Sequence, residues 1–250
     1  MIPRLAVLVS FLLLATSQAA AETVDLELAL AADGSGSIDE EELRLQRAGY
    51  ADAITRPAVL AAIQSGQHQA IAVIYIEWGG PASQHTIVDW AVIRDDASAQ
   101  AFAERLRTAP RQAVGYNSIS GAIDYAAEKI HGNRRDGVRK VIDVSGDGPQ
   151  IGGRPLVLAR ADALASGITI NALAINSPGG GYRGPGGEPL TEHYQRDVIG
   201  GPGAFMMVAE DRLHFRQAIL QKMLLEIAGT PARAILARDG VASPIGSASQ

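Results

Sequence analysis

The sequence predicts an α/β fold, doubly wound, in which a mostly parallel sheet with one antiparallel edge strand carries helices on both faces. Three observations lead there. Segments of strand character alternate with segments of helical period along most of the chain, the pattern of parallel strands joined by crossover helices. The run HQAIAVIYIEW (68–78) is a β-rich apolar run, as a strand covered on both faces must be. HTIVDWAVI (85–93) follows the Gly79-Gly80-Pro81 turn as a hairpin partner, which supplies the antiparallel edge.

The elements follow in order. Val24 to Leu30 alternates apolar and polar residues and predicts the first strand. Helical period then runs from Ile38 to about Ile63, with Asp39 to Glu42 massed in the first turn, where the helix dipole favours acids. After the hairpin come helices over Ala97 to Arg107 and Ser118 to Ile130, a strand over Arg139 to Val144, a helix over Pro155 to Ser166 and a strand over Ile168 to Ile175. The segment NSPGGGYRGPGGEP (176–189) is too rich in Gly and Pro for an element and predicts a long loop. A short helix over Leu190 to Ile199, a strand over Phe205 to Val208 and an amphipathic helix over Asp211 to Ile227 complete the domain.

The ends differ from this body. Residues 1–21 carry an early Arg4, an apolar run from about Leu5 to Ala15 and a small-residue exit, the layout of a secretory signal peptide rather than of a membrane span. That leader implies a periplasmic or secreted protein with no membrane span once it is removed. Residues 22–229 then form one domain, and 230–250, rich in Ala, Gly, Ser and Pro without sustained period, reads as a disordered tail. There is no Cys, so no disulfide or lipid-anchoring thiol is available. The formal charge is −5, which excludes nucleic acid as the natural partner.

The stretch AADGSGSIDEEEL (31–43) holds the most chemistry. With Gly36 at loop position 6 it spells most of an EF-hand loop, and Glu42 falls at position 12. Position 1, however, is Ala31, and the residues before it have strand period where an EF-hand needs a helix. A parallel sheet offers a different use, because ligands bind beyond the carboxyl ends of its strands, where several loops converge. Asp33, Ser35 and Ser37 stand there after the first strand, Asn117 and Ser118 before a helix, and Asp147 in SGDG after the fourth strand. Together they offer hydroxyl, amide and carboxylate oxygens, the hard donors that suit Mg²⁺ first and Mn²⁺ or Ca²⁺ as alternatives, rather than zinc.

The set DGSGS, a polar residue before a helix and a later strand ending in Asp-Gly resembles the metal-ion-dependent adhesion site of von Willebrand factor type A domains. More narrowly, SGSIDEEE, ISGAIDYA, VIDVSGDGP and GGPGAF, in that order, resemble the bacterial exported family called domain of unknown function 1194. The resemblance implies that Ser35 and Ser37 ligate a cation directly, and that Asp33 and Asp147 hold it through water. At the position where the family pattern has Thr, this chain has Asn117, with Ser118 the neighbouring alternative. It also implies a binding module whose cation accepts an acidic group from a protein or other partner.

Enzymatic readings find less support. There is no Gly-x-Ser-x-Gly elbow, no Lys after Gly34-Ser35-Gly36 as a P-loop requires, and no Asp-x-Asp pair to go with the Gly-Asp-Gly of 146–148. The five histidines have no zinc spacing and read as mostly surface residues. The alternatives to a binding module are a metal-assisted hydrolase, for which Asp143 and Glu77 are the candidate bases, and a structural domain with a degenerate metal site, which Asn117 would favour. Asp143, inside an apolar strand, reads as a paired buried acid. Tyr182, Arg183, Glu188, His193 and Tyr194 follow the fifth strand and read either as connector or as a rim near the metal edge.

Overall fold

The strand that begins in the alternation of Val24 to Leu30 runs on without a break to Asp33, so that the first candidate ligand is itself the last residue of β1 (Glu22–Asp33). The computed structural model describes residues 21–175, 182–210, 212–229 and 245–246. Residues 1–20 of the expected leader and most of the expected 230–250 tail lie outside them, as do residues 176–181 of the expected Gly/Pro loop.

β1 is followed by α1 (Glu40–Ile54), α2 (Pro57–Gln64), β2 (Ile71–Trp78), β3 (Gln84–Ile93), α3 (Asp96–Thr108) and α4 (Ile119–Gly132). Then come β4 (Arg135–Gly146), α5 (Leu156–Ala165), β5 (Thr169–Ile175), α6 (Leu190–His193), β6 (Phe205–Ala209), α7 (Arg212–Ala228) and β7 (Ile245–Gly246). The sheet order is β3-β2-β1-β4-β5-β6-β7. β1 pairs in parallel with both β2 and β4, and β5 and β6 continue the parallel run. β3 is antiparallel to β2, as the hairpin reading requires, and two residues of β7 add an antiparallel pair on β6 at the other edge.

Two segments are resolved further. The helical period over Ile38 to Ile63 is carried by two helices, because Pro57 cannot continue α1: it lacks an N–H and drives Arg56 into an extended conformation. Pro57 instead starts α2. The short helix over 190–199 is one α-turn continued as a wider π-type turn over Tyr194–Val198, a geometry that recurs at functional sites. The acids of Asp39 to Glu42 do more than favour the dipole. Asp39 Oδ1 accepts from Glu42 N at 2.7 Å and Glu42 Oε2 accepts from Asp39 N at 3.0 Å, a capping box that contributes about 1 kcal/mol.

Alternation along β1 divides the core in two. Leu26, Leu28, Leu30 and Ala32 face α1, α2, α3 and α7, packing with Tyr50, Ile54, Phe102 and Ile219. Ala29 and Ala31 face the opposite layer, where α4, α5 and the 190–199 segment bring Ile123, Ala126, Ala159 and Tyr194. Small residues on that side let α4 lie close to the sheet, which carries its N-terminus to the carboxyl ends of β1 and β2. Among the described residues no helix is long and apolar enough to cross a membrane.

Asp143 is paired, as its place in an apolar strand demands. Lys222 Nζ lies 2.5 Å from Asp143 Oδ1 and 2.6 Å from Glu226 Oε1, and Asn171 donates to Glu226 at 3.2 Å. One buried cation thus serves two buried acids. Burial, then the charge of Asp143, pushes Glu226 up to about 7, against a partial pull downward from Lys222. A carboxyl whose pKa rises on folding binds more protons folded than unfolded. Its contribution is therefore fully present below its ordinary 4.5 and is lost as pH rises through about 7. Lys222→Met is expected to lower unfolding free energy by about 3–5 kcal/mol at pH 8, by stranding both carboxylates. At pH 5, where Glu226 is neutral, the loss measured by urea unfolding is expected to be smaller; an equal loss at both pH values would refute the charge-pairing account.

Candidate metal centre

The Asp33-to-Ser37 loop is held from several directions. Asp33 pairs with Trp78 across the β1–β2 ladder, and Gln46 of α1 donates to the Asp33 carbonyl at 2.9 Å. Gly34 N donates to the Trp78 carbonyl at 2.8 Å and Gly36 N to the Gly115 carbonyl at 2.9 Å. Arg111 Nη2 donates to the carbonyls of Gly34, Ser35 and Ile38 at 3.1, 2.9 and 2.9 Å. With those carbonyls turned to one guanidinium, the side chains of the loop are left to the other side. There Asp33 Oδ1 accepts from Ser35 N at 2.8 Å, an Asx-type turn that fixes the carboxylate.

Four predicted site residues form one continuous chain of contacts. Ser35 Oγ and Ser37 Oγ are 2.9 Å apart, and Ser37 Oγ donates to Asp147 Oδ1 at 2.9 Å. Residues 110 apart in sequence are thereby joined by the parallel pairing of β1 and β4. Asn117, 4 % exposed, enters through the backbone: its carbonyl accepts from Ile151 N at 2.9 Å and Gly152 N at 3.2 Å. Its amide lies against Gly148, where any β-carbon would collide with the amide nitrogen. Ser118 is committed elsewhere, because its hydroxyl caps α4 by accepting from Gly121 N at 3.2 Å. Between Asn117 and Ser118, only Asn117 has a side chain free of the helix.

The Asp147 loop rests on Tyr194 and His193, which the sequence leaves open as connector or rim. Tyr194 Oη donates to the Gly148 carbonyl at 3.1 Å. A β-carbon at Gly146 would stand 2.7 Å from Tyr194 Oη, 3.0 Å from the Trp78 ring and 3.1 Å from Asp33 Oδ2, so only Gly fits. Gln150 N donates to His193 Nε2 at 3.3 Å, and His193 Nδ1 faces Asp197 Oδ2 at 2.8 Å. The ring of His193 thus bridges the Gln150 backbone and the Asp197 carboxylate through its two nitrogens. His193 is 1 % exposed and is the exception to the reading of mostly surface histidines: buried between two partners, it ties α6 to the Asp147 loop.

Among the described residues, no Lys or Arg side chain pairs with the carboxylate of Asp33 or Asp147. Asp33 Oδ2 is fully buried and has no hydrogen-bond partner among the described residues. Burial, then the charge of Asp147, raises the Asp33 carboxyl to about 7. Asp147 is raised as well, by burial first and also by the charge of Glu42, with the Ser37 hydrogen bond pulling the other way. A cation here would meet two hydroxyls, an orphan carboxylate oxygen and a second carboxylate, a donor set that fits a hard divalent ion.

The remaining candidates are occupied. Glu77 is fully buried and held by Arg47 at 2.6 and 2.9 Å. Asp143, paired with Lys222, stands on the opposite side of β4 from the Trp78 layer. Neither is a free base. Glu188, His193 and Asp197 also bring ligand atoms within 4.8 Å of one another. Arg196 Nη2, at 2.6 Å from both carboxylates, already brings positive charge to that cluster.

With fold and geometry in hand, comparisons place the chain. It belongs to the family described as protein of unknown function (DUF1194), whose pattern matches residues 23–231. No curated protein matches the sequence. Among solved structures, the pilus adhesin SpaC from Lactobacillus rhamnosus GG aligns at TM-score 0.60 and 12 % identity, over 82 % of this chain and 31 % of SpaC. Proximal thread matrix protein 1 from the mussel byssus, solved with a zinc-occupied MIDAS motif, aligns at 0.54 and 13 %, over 82 % of this chain and 45 % of that protein. The vWF domain of the type V pili tip protein Mfa5 from Porphyromonas gingivalis aligns at 0.57 and 10 %, over 84 % of this chain and 97 % of that domain. The chain thus spans less than half of the adhesin and of the byssus protein. Identities this low establish the fold, which is that of von Willebrand factor type A domains.

The raised carboxyl of Asp33 sets a pH test. Its contribution to stability is fully present below 3.8 and is lost as pH rises through about 7. Asp33→Asn keeps the acceptor for Ser35 N and removes the buried charge. In metal-free protein at pH 8 the variant is expected to melt higher than the parent by roughly 3–8 °C, with the gap closing toward pH 4. A variant that melts lower at pH 8 would show that the carboxylate is already compensated without a cation.

Proposed function

We propose that this protein is an exported binding module that holds a divalent cation between the carboxyl ends of β1 and β4 and, through it, an acidic group of a partner. The observation that carries the reading is the buried, unpartnered Asp33 Oδ2 beside a hydroxyl chain that ends on Asp147. Ser35 and Ser37 would supply hydroxyl oxygens, Asp33 and Asp147 carboxylate oxygens, and Asn117 its amide oxygen. The bound ion would neutralise the charge that burial now penalises.

Such a centre suits recognition. Two of its protein donors are uncharged hydroxyls and one is an amide, so a divalent ion would keep affinity for an external carboxylate. Magnesium matches the small, hard oxygen set, with manganese or calcium next; the zinc in the mussel byssus protein is a further candidate for the titration. Binding rather than turnover is favoured because Glu77 and Asp143, the two acids considered as bases, are committed to Arg47 and Lys222. The signal-like residues 1–21 and the pilus proteins among the structural neighbours support a site of action outside the cytoplasm.

Titration of EDTA-treated protein with Mg²⁺, Mn²⁺, Ca²⁺ and Zn²⁺ tests the centre. At a hundredfold excess over Kd, one ion is expected to add about 2.7 kcal/mol, a rise in Tm of roughly 5–10 °C. The rise is expected to grow between pH 5 and pH 8, since protons compete for Asp33, and to vanish in Asp33→Ala and Ser35→Ala. An unchanged Tm with all four ions would sink the metal centre and leave a structural domain of the same fold.

A further inference from the structure

Large apolar side chains that remain exposed are unevenly placed on this protein. Among the described residues there are seven of them, and five, Val114, Tyr116, Ile151, Val157 and Leu158, belong to two neighbouring segments at the carboxyl edge of the sheet. Tyr116 is 75 % exposed and Ile151 60 %. Single exposed apolar residues are ordinary, whereas a cluster marks an interaction surface.

The two segments are those that deliver the candidate ligands. Val114 and Tyr116 lead into Asn117, over the ends of β1 and β2, where the Val114 carbonyl accepts from Gly80 N at 2.9 Å. Ile151 follows Asp147, and its N–H is bound to the Asn117 carbonyl at 2.9 Å. Val157 and Leu158 lie in the first turn of α5, which that loop enters. Apolar groups therefore stand on the β2 side of the candidate cation and again on its β4 side. Beside Val157 a depression of about 210 Å³ opens between Leu156, Pro185 and Arg160.

Backbone hydrogen bonds hold Val114, Ile151 and Leu158 in place, and Gly115 and Asn117, on either side of Tyr116, are held in the same way, so the exposure is a property of the folded loops. Val114 N donates to Ser83 Oγ at 2.9 Å, in addition to the bonds already described. A surface fixed in this way loses little entropy when covered.

We infer that this rim selects, and that its occupant is an extended segment of a partner protein in which a Glu or Asp is flanked on both sides by large apolar side chains. The inference rests on the proposed cation centre, which takes the carboxylate by charge complementarity. The flanking side chains cover Val114 and Tyr116 on one side and Ile151 and Val157 on the other. A free acidic metabolite or a wholly polar acidic peptide would satisfy the cation and leave the rim in water.

Two fluorescein-labelled synthetic peptides test it: Gly-Ser-Leu-Phe-Glu-Leu-Ser-Gly, and the same peptide with Ser in place of both Leu and Phe. With Mg²⁺, fluorescence anisotropy is expected to show the apolar peptide binding about tenfold or more tighter, and EDTA to abolish both signals. The double variant Tyr116→Ser with Ile151→Ser is expected to bind the two peptides alike while keeping the parent's Mg²⁺-induced rise in Tm. Equal binding by the parent, no binding of either peptide, or a preference that survives in the double variant would each overturn the rim, provided the Mg²⁺ response of the parent is intact. Loss of that response in the parent would overturn the cation centre and the rim with it.

Discussion

The carboxylate of Asp33 is placed where water cannot reach it, and most of the architecture at the carboxyl edge is arranged around that placement. One oxygen is tied to the Ser35 amide; the other has no partner among the described residues. Burial of a carboxylate with no paired cation is costly even where, as here, hydrogen bonds from Ser35 and the Asp147 backbone offset part of it. It persists because the residue ends a strand paired on both sides, and because Gln46 and Arg111 hold its own carbonyl and those of the two residues after it. The site is thus built rigidly first, and the charge is left for something else to balance.

The same chain contains a second buried acidic cluster, and there a cation is built in, although Glu226 Oε2, like Asp33 Oδ2, has no hydrogen-bond partner among the described residues. Asp143 and Glu226 share Lys222, with Asn171 taking a further acceptor position, and all of these groups are nine-tenths or more buried. Glu77 has Arg47 in a two-pronged pair. The protein brings Lys or Arg to two of its buried acidic groups. Next to Asp33 and Asp147 it brings hydroxyls and an amide instead, which suits a cation that comes and goes better than one that is built in.

How much of this can be read without coordinates depends on range. The parallel sheet, the antiparallel edge and the side chains Asp33, Ser35, Ser37 and Asp147 are legible because alternation, turn residues and short motifs are local. Their contact across β1 and β4 then follows from topology alone. The EF-hand spelling is dismissed by equally local facts: Ala31 lies within β1, and Asp39 and Glu42 cap α1. Pro57 was also local, yet its effect was masked by apolar period on both sides of it. What stays hidden is the support. Arg111 sits in a segment with no period, and nothing near it says that its guanidinium will gather three carbonyls of a loop more than 70 residues away. His193 and Tyr194 stand just after the glycine-rich loop, and their role appears only when a π-type turn carries them to Gly148 and Gln150.

Those supports also explain how one edge of a sheet can combine a charge-hungry centre with an apolar rim. Each loop there is fastened through its backbone: Gly36 to Gly115, Gly80 to Val114, Ile151 and Gly152 to Asn117. Once main-chain groups are satisfied by one another, side chains in the same loops are released from structural duty and can be apolar, exposed and still fixed in position. Tyr116 and Ile151 contribute nothing to the core they stand beside. Their neighbours Asn117 and Gly152 are joined main chain to main chain, so a partner that touches the two exposed side chains presses on the same junction that sets Asn117 against Gly148. The exposed side chains of the rim and the candidate ligand Asn117 are therefore carried by the same pair of joined loops.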